Sequence, residues 1–185
     1  VKTGPRFRMP FKRRFYKKTN YKKRLGLLLS DKPRLVIRKS LKHIKAQIIK
    51  YEPDGDKTIV SADTKDLGKL GWKYSTSNLP AAYLTGLLIG KKSKKKKIDG
   101  VVVDLGIERN IKGSKLYAVV KGAIDAGLEI PFSEEAFPSE DRIKGLHIAK
   151  FSKEKGEAYK NQFSKVKPDN IAEDFEKVKQ KIMKG

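Results

Sequence analysis

Cysteine is missing from the chain altogether, and with it go disulfides, thiolate metal sites and cysteine nucleophiles. Such a composition fits an intracellular protein. No run of about 18 uncharged apolar residues occurs, so no membrane-spanning helix and no membrane partner are expected. The N-terminus lacks the apolar core of a secretion signal. Histidine is scarce: His43 and His147 are the two, and neither has metal-ligand spacing around it. His43 reads as a contact to RNA or solvent, His147 as packed in a strand or turn. No metal, cofactor or small-molecule substrate is expected. Acid is scarce at the start, where Asp31 is the one carboxylate among the first fifty residues.

What the chain has in quantity is positive charge. Lys and Arg number 44 against 21 Asp and Glu, a net +23 over 185 residues. That length allows one domain with a real core and some extension. A compact domain so charged repels itself until a polyanion neutralises it. Nucleic acid, an anionic membrane and an acidic protein are the candidates. The charge is unevenly placed: residues 1–50 carry +17, residues 51–133 carry +4 and residues 134–185 carry +2. The polyanion contact therefore belongs to the first quarter.

Residues 1–30 read as a basic arm. Arg6, Arg8, Lys12, Arg13, Arg14, Lys17, Lys18, Lys22, Lys23 and Arg24 are interleaved with Phe7, Phe11, Phe15, Tyr16 and Tyr21. Pro5 and Pro10 resist a continuous helix. Lys and Arg neutralise phosphates, and aromatic and guanidinium planes stack on unpaired bases. That pairing suits RNA better than duplex DNA, whose bases are already stacked. A solvated tail would be poor in aromatics, and a cleaved organelle presequence would be richer in serine.

Residues 31–133 read as an α/β core. Leu35 and Ile37 share one face of a strand. In the next strand Ile44, Ala46 and Ile48 alternate with His43, Lys45 and Gln47, a period of two. Ser40, Leu41 and Lys42 form the turn between them. The outer face of this hairpin carries Arg38, His43 and Lys45, extending the arm's basic surface. After the Pro53-Asp54-Gly55 turn, a third strand near Thr58–Ala62 completes an antiparallel meander. A helix follows, capped at Asn78 or Leu79 with Pro80 in its first turn. Leu84, Leu87 and Leu88 form its stripe, and Lys94–Lys97 end it. Gly100–Leu105 has the apolar run of a buried central strand. Lys112-Gly113-Ser114-Lys115 opens another helix, with Ser114 as cap. Leu116, Val119, Val120, Ala123 and Ile124 face the core, and Gly127 is the stop. This helix start is either an anion site or an ordinary capped end.

Residues 134–185 read as a helical extension. Ile171, Phe175, Val178 and Ile182 make one apolar face, and Asn170 with Glu173 resembles a capping box. That helix is expected to pack on the domain or on a neighbouring protein. The fold class is thus α/β: a three-strand antiparallel meander plus a further strand, packed by helices, with a basic N-terminal arm and a helical C-terminal extension.

No active site stands out. Gly86–Ser93 faintly resembles a phosphate loop, but its glycine spacing is one short and it lies within a helix, which fails the required context. Asp63, Asp99, Asp104 and Glu108 lie near strand ends, where a two-metal nuclease would hold ions, yet no ligand motif accompanies them.

Five ordered blocks then resemble a known family. They run from Gly4-Pro5-Arg6 to Leu25, followed by KPRLVIRKSLKHIKAQII (32–49), NLPAAYLTGLLIGKK (78–92), GSKLYAVVKGAIDAGLEIP (113–131) and GLHIAKF (145–151). Together they resemble the universal large-subunit ribosomal protein eighteen family, the 5S-rRNA-binding proteins, in its archaeal and eukaryotic form. The resemblance implies a structural, non-enzymatic protein of the central protuberance, cytoplasmic within the large ribosomal subunit. Its implied partners are 5S rRNA, large-subunit rRNA and neighbouring large-subunit proteins. Arm contacts are implied at Arg6, Arg8, Arg13, Arg14, Tyr16, Tyr21 and Arg24. Lys12, Lys17, Lys22 and Lys23 join them by charge alone. Hairpin contacts are implied at Arg34, Arg38, Lys39, Ser40, His43 and Lys45, and further contacts at Lys112, Ser114 and Lys115. The rival readings are a general nucleic-acid-coating protein and a metal-dependent nuclease.

Overall fold

Strand alternation builds the sheet. In the computed structural model, which describes residues 4–155 and 166–184, β1 (Arg34–Lys39) and β2 (Ile44–Lys50) form the antiparallel hairpin. Leu35 lies opposite Ile48 and Ile37 opposite Ala46, all fully buried. Ser40 closes the turn: its N–H donates to the His43 carbonyl at 2.8 Å, and its hydroxyl accepts from the His43 N–H at 3.0 Å. β3 (Lys57–Asp63) pairs antiparallel with β2, completing the meander. The first three residues of the arm, and residues 156–165 and 185 of the C-terminal extension, lie outside the described residues.

β4 (Val102–Asp104) joins β1 in parallel, for a sheet order of β3-β2-β1-β4. The expected central strand is therefore an edge strand of three residues. Two residues before it, Gly100 makes an isolated parallel bridge to Glu129. The apolar run has another cause: Val101 and Leu105, on either side of β4, are buried in the core.

After the short α3 (Asp66–Lys69), α4 (Leu79–Lys95) runs through the centre of the core. The Asn78 side chain accepts from the Ala81 N–H at 2.9 Å, and Pro80 occupies the first turn, where a missing N–H is harmless. The helix is buried nearly all round rather than along one stripe. The sheet covers one side, and α5 (Lys115–Asp125) and α8 (Ile171–Lys184) cover others. A helix enclosed on several sides has to be apolar on all of them. Leu84 and Leu87 are buried, while Leu88 is half-buried. Thr85 and Ser93 satisfy their buried hydroxyls on carbonyls one turn back, Ala81 at 2.8 Å and Ile89 at 2.6 Å. Gly86 of α4 and Gly122 of α5 let the two backbones touch: an added Cβ at Gly122 would lie 2.9 Å from the Leu87 nitrogen.

α5 buries Leu116, Val119, Val120 and Ala123, with Ile124 half-buried. Gly127, at φ +94°, ends the turn and Leu128 packs back into the core. Ser114 holds the N-cap position, but its hydroxyl makes no capping bond. α6 (Glu140–Lys144) and α7 (Leu146–Lys155) lead to the C-terminal part. His147 is an exposed residue of α7, not packed in a strand or turn, because its helix turns it outward. Partial desolvation of its ring, then the charge of Arg142, hold its imidazole below the ordinary pKa. Ile171, Phe175, Val178 and Ile182 of α8 are buried, and the helix packs on α4. There the Phe175 and Tyr83 ring centroids lie 5.6 Å apart. The remaining face of the sheet is left to residues 4–30, which include α1 (Lys12–Phe15) and α2 (Tyr21–Leu28).

Candidate nucleic-acid interface

Period-two geometry turns Arg34, Val36 and Arg38 away from the core, level with Ile49, Gln47 and Lys45 of β2 and beside Val102 and Asp104 of β4. Two arginines on a face covered by a helix need acids. Asp56, just past the predicted turn, and Asp104 provide them. Arg34 is 3% exposed; its Nη2 donates to Asp56 at 2.8 Å and its Nη1 to Asp104 at 2.9 Å. Asp56 also accepts from Arg24 of α2 at 2.9 Å. Asp104 also accepts from Arg38 at 3.3 Å and from the Gly106 N–H at 2.7 Å. Arg24, Asp56, Arg34, Asp104 and Arg38 thus form an alternating chain of five charges that ties α2 to β1 and β4. Gly106 is held at φ +65°, a conformation that favours glycine, and the Arg38 guanidinium lies over it.

Asn20 starts α2 by accepting the Lys23 N–H at 3.1 Å. The helix is held to the sheet through Arg24 and through Lys23, whose Nζ reaches the Gly106 carbonyl at 3.4 Å. Beneath it lies a cleft of about 260 Å³ between arm and sheet. Six cations (Arg13, Lys18, Lys23, Arg24, Arg34, Arg38) and the two carboxylates of Asp56 and Asp104 line it. The carboxylates leave an excess of positive charge there.

Of the residues expected to meet RNA, Arg6, Arg8, Lys12, Arg13, Arg14, Tyr16, Lys17 and Lys22 are exposed along the arm. Phe11 is 72% exposed, and its ring packs 5.2 Å from that of half-buried Tyr21. Lys18 sits over the Tyr16 ring at 5.9 Å. Lys39 pairs with Glu108 at 2.9 Å, and Lys45 is exposed on β2. Thr76 donates its one hydroxyl proton to the Lys42 carbonyl at 2.6 Å. Its 3.1 Å contact with His43 Nδ1 therefore takes the ring N–H as donor, which leaves Nε2 for another partner. Arg34, expected at the RNA surface, is buried instead, its two terminal nitrogens occupied by acids. Ser114 likewise turns inward, its hydroxyl without a partner among the described residues. Lys115 donates to the Ser77 carbonyl at 2.8 Å, and Lys112 pairs with Glu135 at 2.6 Å on the surface. Neither lines the cleft.

Sequence reading missed Asp56, one residue past the predicted Pro53-Asp54-Gly55 turn, and Gly106, in the turn after β4; neither carries a local signal of its distant partners. Asp104, weighed as a strand-end metal ligand, is spent on two arginines and an amide. Among the described residues no three His, Asp or Glu side chains are grouped to hold a metal ion. No helix of the described residues is long and apolar enough to cross a membrane.

Together these features define a basic α/β protein whose cations gather on one sheet face and on the arm docked against it. The family of ribosomal large subunit proteins 60S L5 and 50S L18 matches residues 5–102 and 91–133. The chain belongs to this family of large-subunit ribosomal proteins, a structural and non-enzymatic one whose place is the ribosome. The matched stretch takes in the arm from Pro5, the whole sheet, α4 and α5.

Proposed function

We propose that the chain binds 5S rRNA and anchors it to large-subunit rRNA in the central protuberance of the cytoplasmic ribosome, with no chemistry of its own. The observation that carries this reading is the arm across the sheet: it exposes aromatics and cations, and a cationic cleft lies between it and the strands. Lysines and arginines position a phosphate backbone without reading sequence, while stacking aromatics select unpaired bases and shape. The exposed arm residues, with Arg38, Lys39, Ser40, His43 and Lys45, form the principal contact. Arg34 shapes that surface from below. Lys112 and Lys115 mark a second, smaller contact at the start of α5, with Ser114 turned inward beneath them, and the exposed sides of α6, α7 and α8 meet neighbouring ribosomal proteins.

Competition binding tests this. Labelled 5S rRNA is bound at low and near-physiological salt, then challenged with unlabelled 5S rRNA, an unrelated structured RNA and duplex DNA. Charge-only binding collapses as salt rises, because counterion release supplies nearly all of it. Tight binding that only 5S rRNA displaces at the higher salt is the expected result. Equal competition by all three would reduce the chain to a general coat for nucleic acid. Removing residues 1–30 should cripple binding while the core still folds, since Arg34 keeps both of its acids.

A further inference from the structure

Two hollows meet at Lys23. One is the cationic cleft. The other, of about 210 Å³, is walled by Tyr117, Phe132 and Phe137 beside Val103 and Leu105. Lys23 lines both, and the consecutive residues Leu105 and Gly106 line one each. The Phe132 and Phe137 rings lie 5.2 Å apart, and Phe132 is 53% exposed. Asn110 brings an amide, a donor and an acceptor in one group, to the same hollow. Beside the cleft, Arg34 keeps one nitrogen without a partner among the described residues. Both terminal nitrogens are bonded to carboxylates, yet Nε has no acceptor among the described residues.

We propose that the two hollows form a site for a single unpaired RNA nucleotide, its base in the aromatic hollow and its phosphate in the cleft. This rests on the RNA-binding reading above and adds a defined point of contact to it. Charge decides the occupant. An apolar peptide would use the aromatic walls but has no need of six adjacent cations. A nucleotide uses both, because every base offers a flat face to stack and every phosphate an anion to pair. Lys23 stands between the two, its bond to the Gly106 carbonyl long enough at 3.4 Å to be exchanged for a phosphate.

Single-stranded pentanucleotides carrying one 2-aminopurine, titrated into the full chain, test the site. Stacking in the hollow quenches the fluorescent base. Phe132→Ala, at an exposed rim where folding is not at stake, should abolish the quench and weaken binding about tenfold, within the range one stacked base contributes. An abasic strand should bind the unaltered protein weaker by about the same factor. Arg13→Gln with Lys18→Gln should weaken binding and leave the quench at saturation, while Lys153→Gln on α7 should change neither. A quench that survives Phe132→Ala, an abasic strand bound as tightly as the intact one, or an apolar peptide that fills the hollow without displacing RNA would overturn the proposal. If the proposal alone is wrong, the pentanucleotide shows no quench while 5S rRNA still binds specifically. If the parent reading is wrong, specific 5S rRNA binding is itself missing.

Discussion

Replacing Gly86 with alanine puts one methyl group where α4 crosses α5. In an isolated helix that change stabilises by about 1 kcal/mol. Here the new Cβ would sit against the Val119 carbonyl, 2.9 Å from its carbon and 3.1 Å from the Ala123 nitrogen. These are backbone atoms of α5, so no side-chain rotation relieves the contact. Carbon atoms pack best about 3.5–4.0 Å apart, so the helices must part by roughly 1 Å. A gap of that size removes about a quarter to a half of each contact along the seam, where Leu84, Leu87, Val119 and Ala123 are all buried. Overpacking a core costs about 1–3 kcal/mol, and a rigid obstacle belongs at the upper end. After the propensity gain, a net loss of about 2 kcal/mol remains. Gly68→Ala in α3 is the matched control, because nothing lies within 4 Å of its added Cβ. It should stabilise by about 0.4–1 kcal/mol. Urea unfolding followed by far-ultraviolet circular dichroism measures both, with unchanged slopes confirming comparable unfolding. If Gly86→Ala behaves like Gly68→Ala, the backbone contact between α4 and α5 is not what holds them in register.

Three further outcomes follow from the packing and the charges. Asp104→Ala strips Arg34 of one of its two acids in a buried setting and should cost about 3–5 kcal/mol in the same urea assay; a loss below about 1 kcal/mol would mean solvent reaches the charge chain. Phe175→Ala should cost about 3–5 kcal/mol and loosen α8 from α4, and exposure of α8 amides to hydrogen exchange would report the loosening. Burial, aided by its hydrogen bond to Asp174 at 2.9 Å, pushes the Tyr74 phenol up to about 12 from 10.0. The folded state therefore favours the neutral phenol, and the contribution is complete below pH 10.0 and lost as pH rises towards about 12. Ultraviolet difference titration against Tyr74→Phe locates that ionisation, and a value near 10.0 in the folded protein would contradict the burial.

The parts legible in the sequence are those decided by near neighbours. Ile44, Ala46 and Ile48 alternate because one sheet face is buried, and the strand follows. Asn78 and Pro80 mark a helix start because each suits that one place. α8 is legible because its four apolar residues recur at helical spacing. What stayed hidden depends on distance along the chain. Arg34 looks like any other basic residue near the arm until Asp56, 22 positions on, and Asp104, 70 positions on, close around it. β4 looked central because apolar runs do not say which neighbours cover them. The cleft needed the docked position of α2, which no periodicity in residues 21–28 encodes, for that helix buries no residue completely.

The charge chain also has a schedule. Synthesis at about 5–20 residues per second brings Asp104 roughly 4–14 s after Arg34. Until then the first fifty residues have emerged with +17 and a single acid among them. The arm is thus at its most adhesive before its resting place exists, and any polyanion nearby competes with a carboxylate not yet made. Asp56 comes first and can hold Arg24 and Arg34 provisionally, but β1 has no parallel neighbour until residues 102–104 arrive. The last strand to enter the sheet is therefore also the one that completes the fastening of the arm.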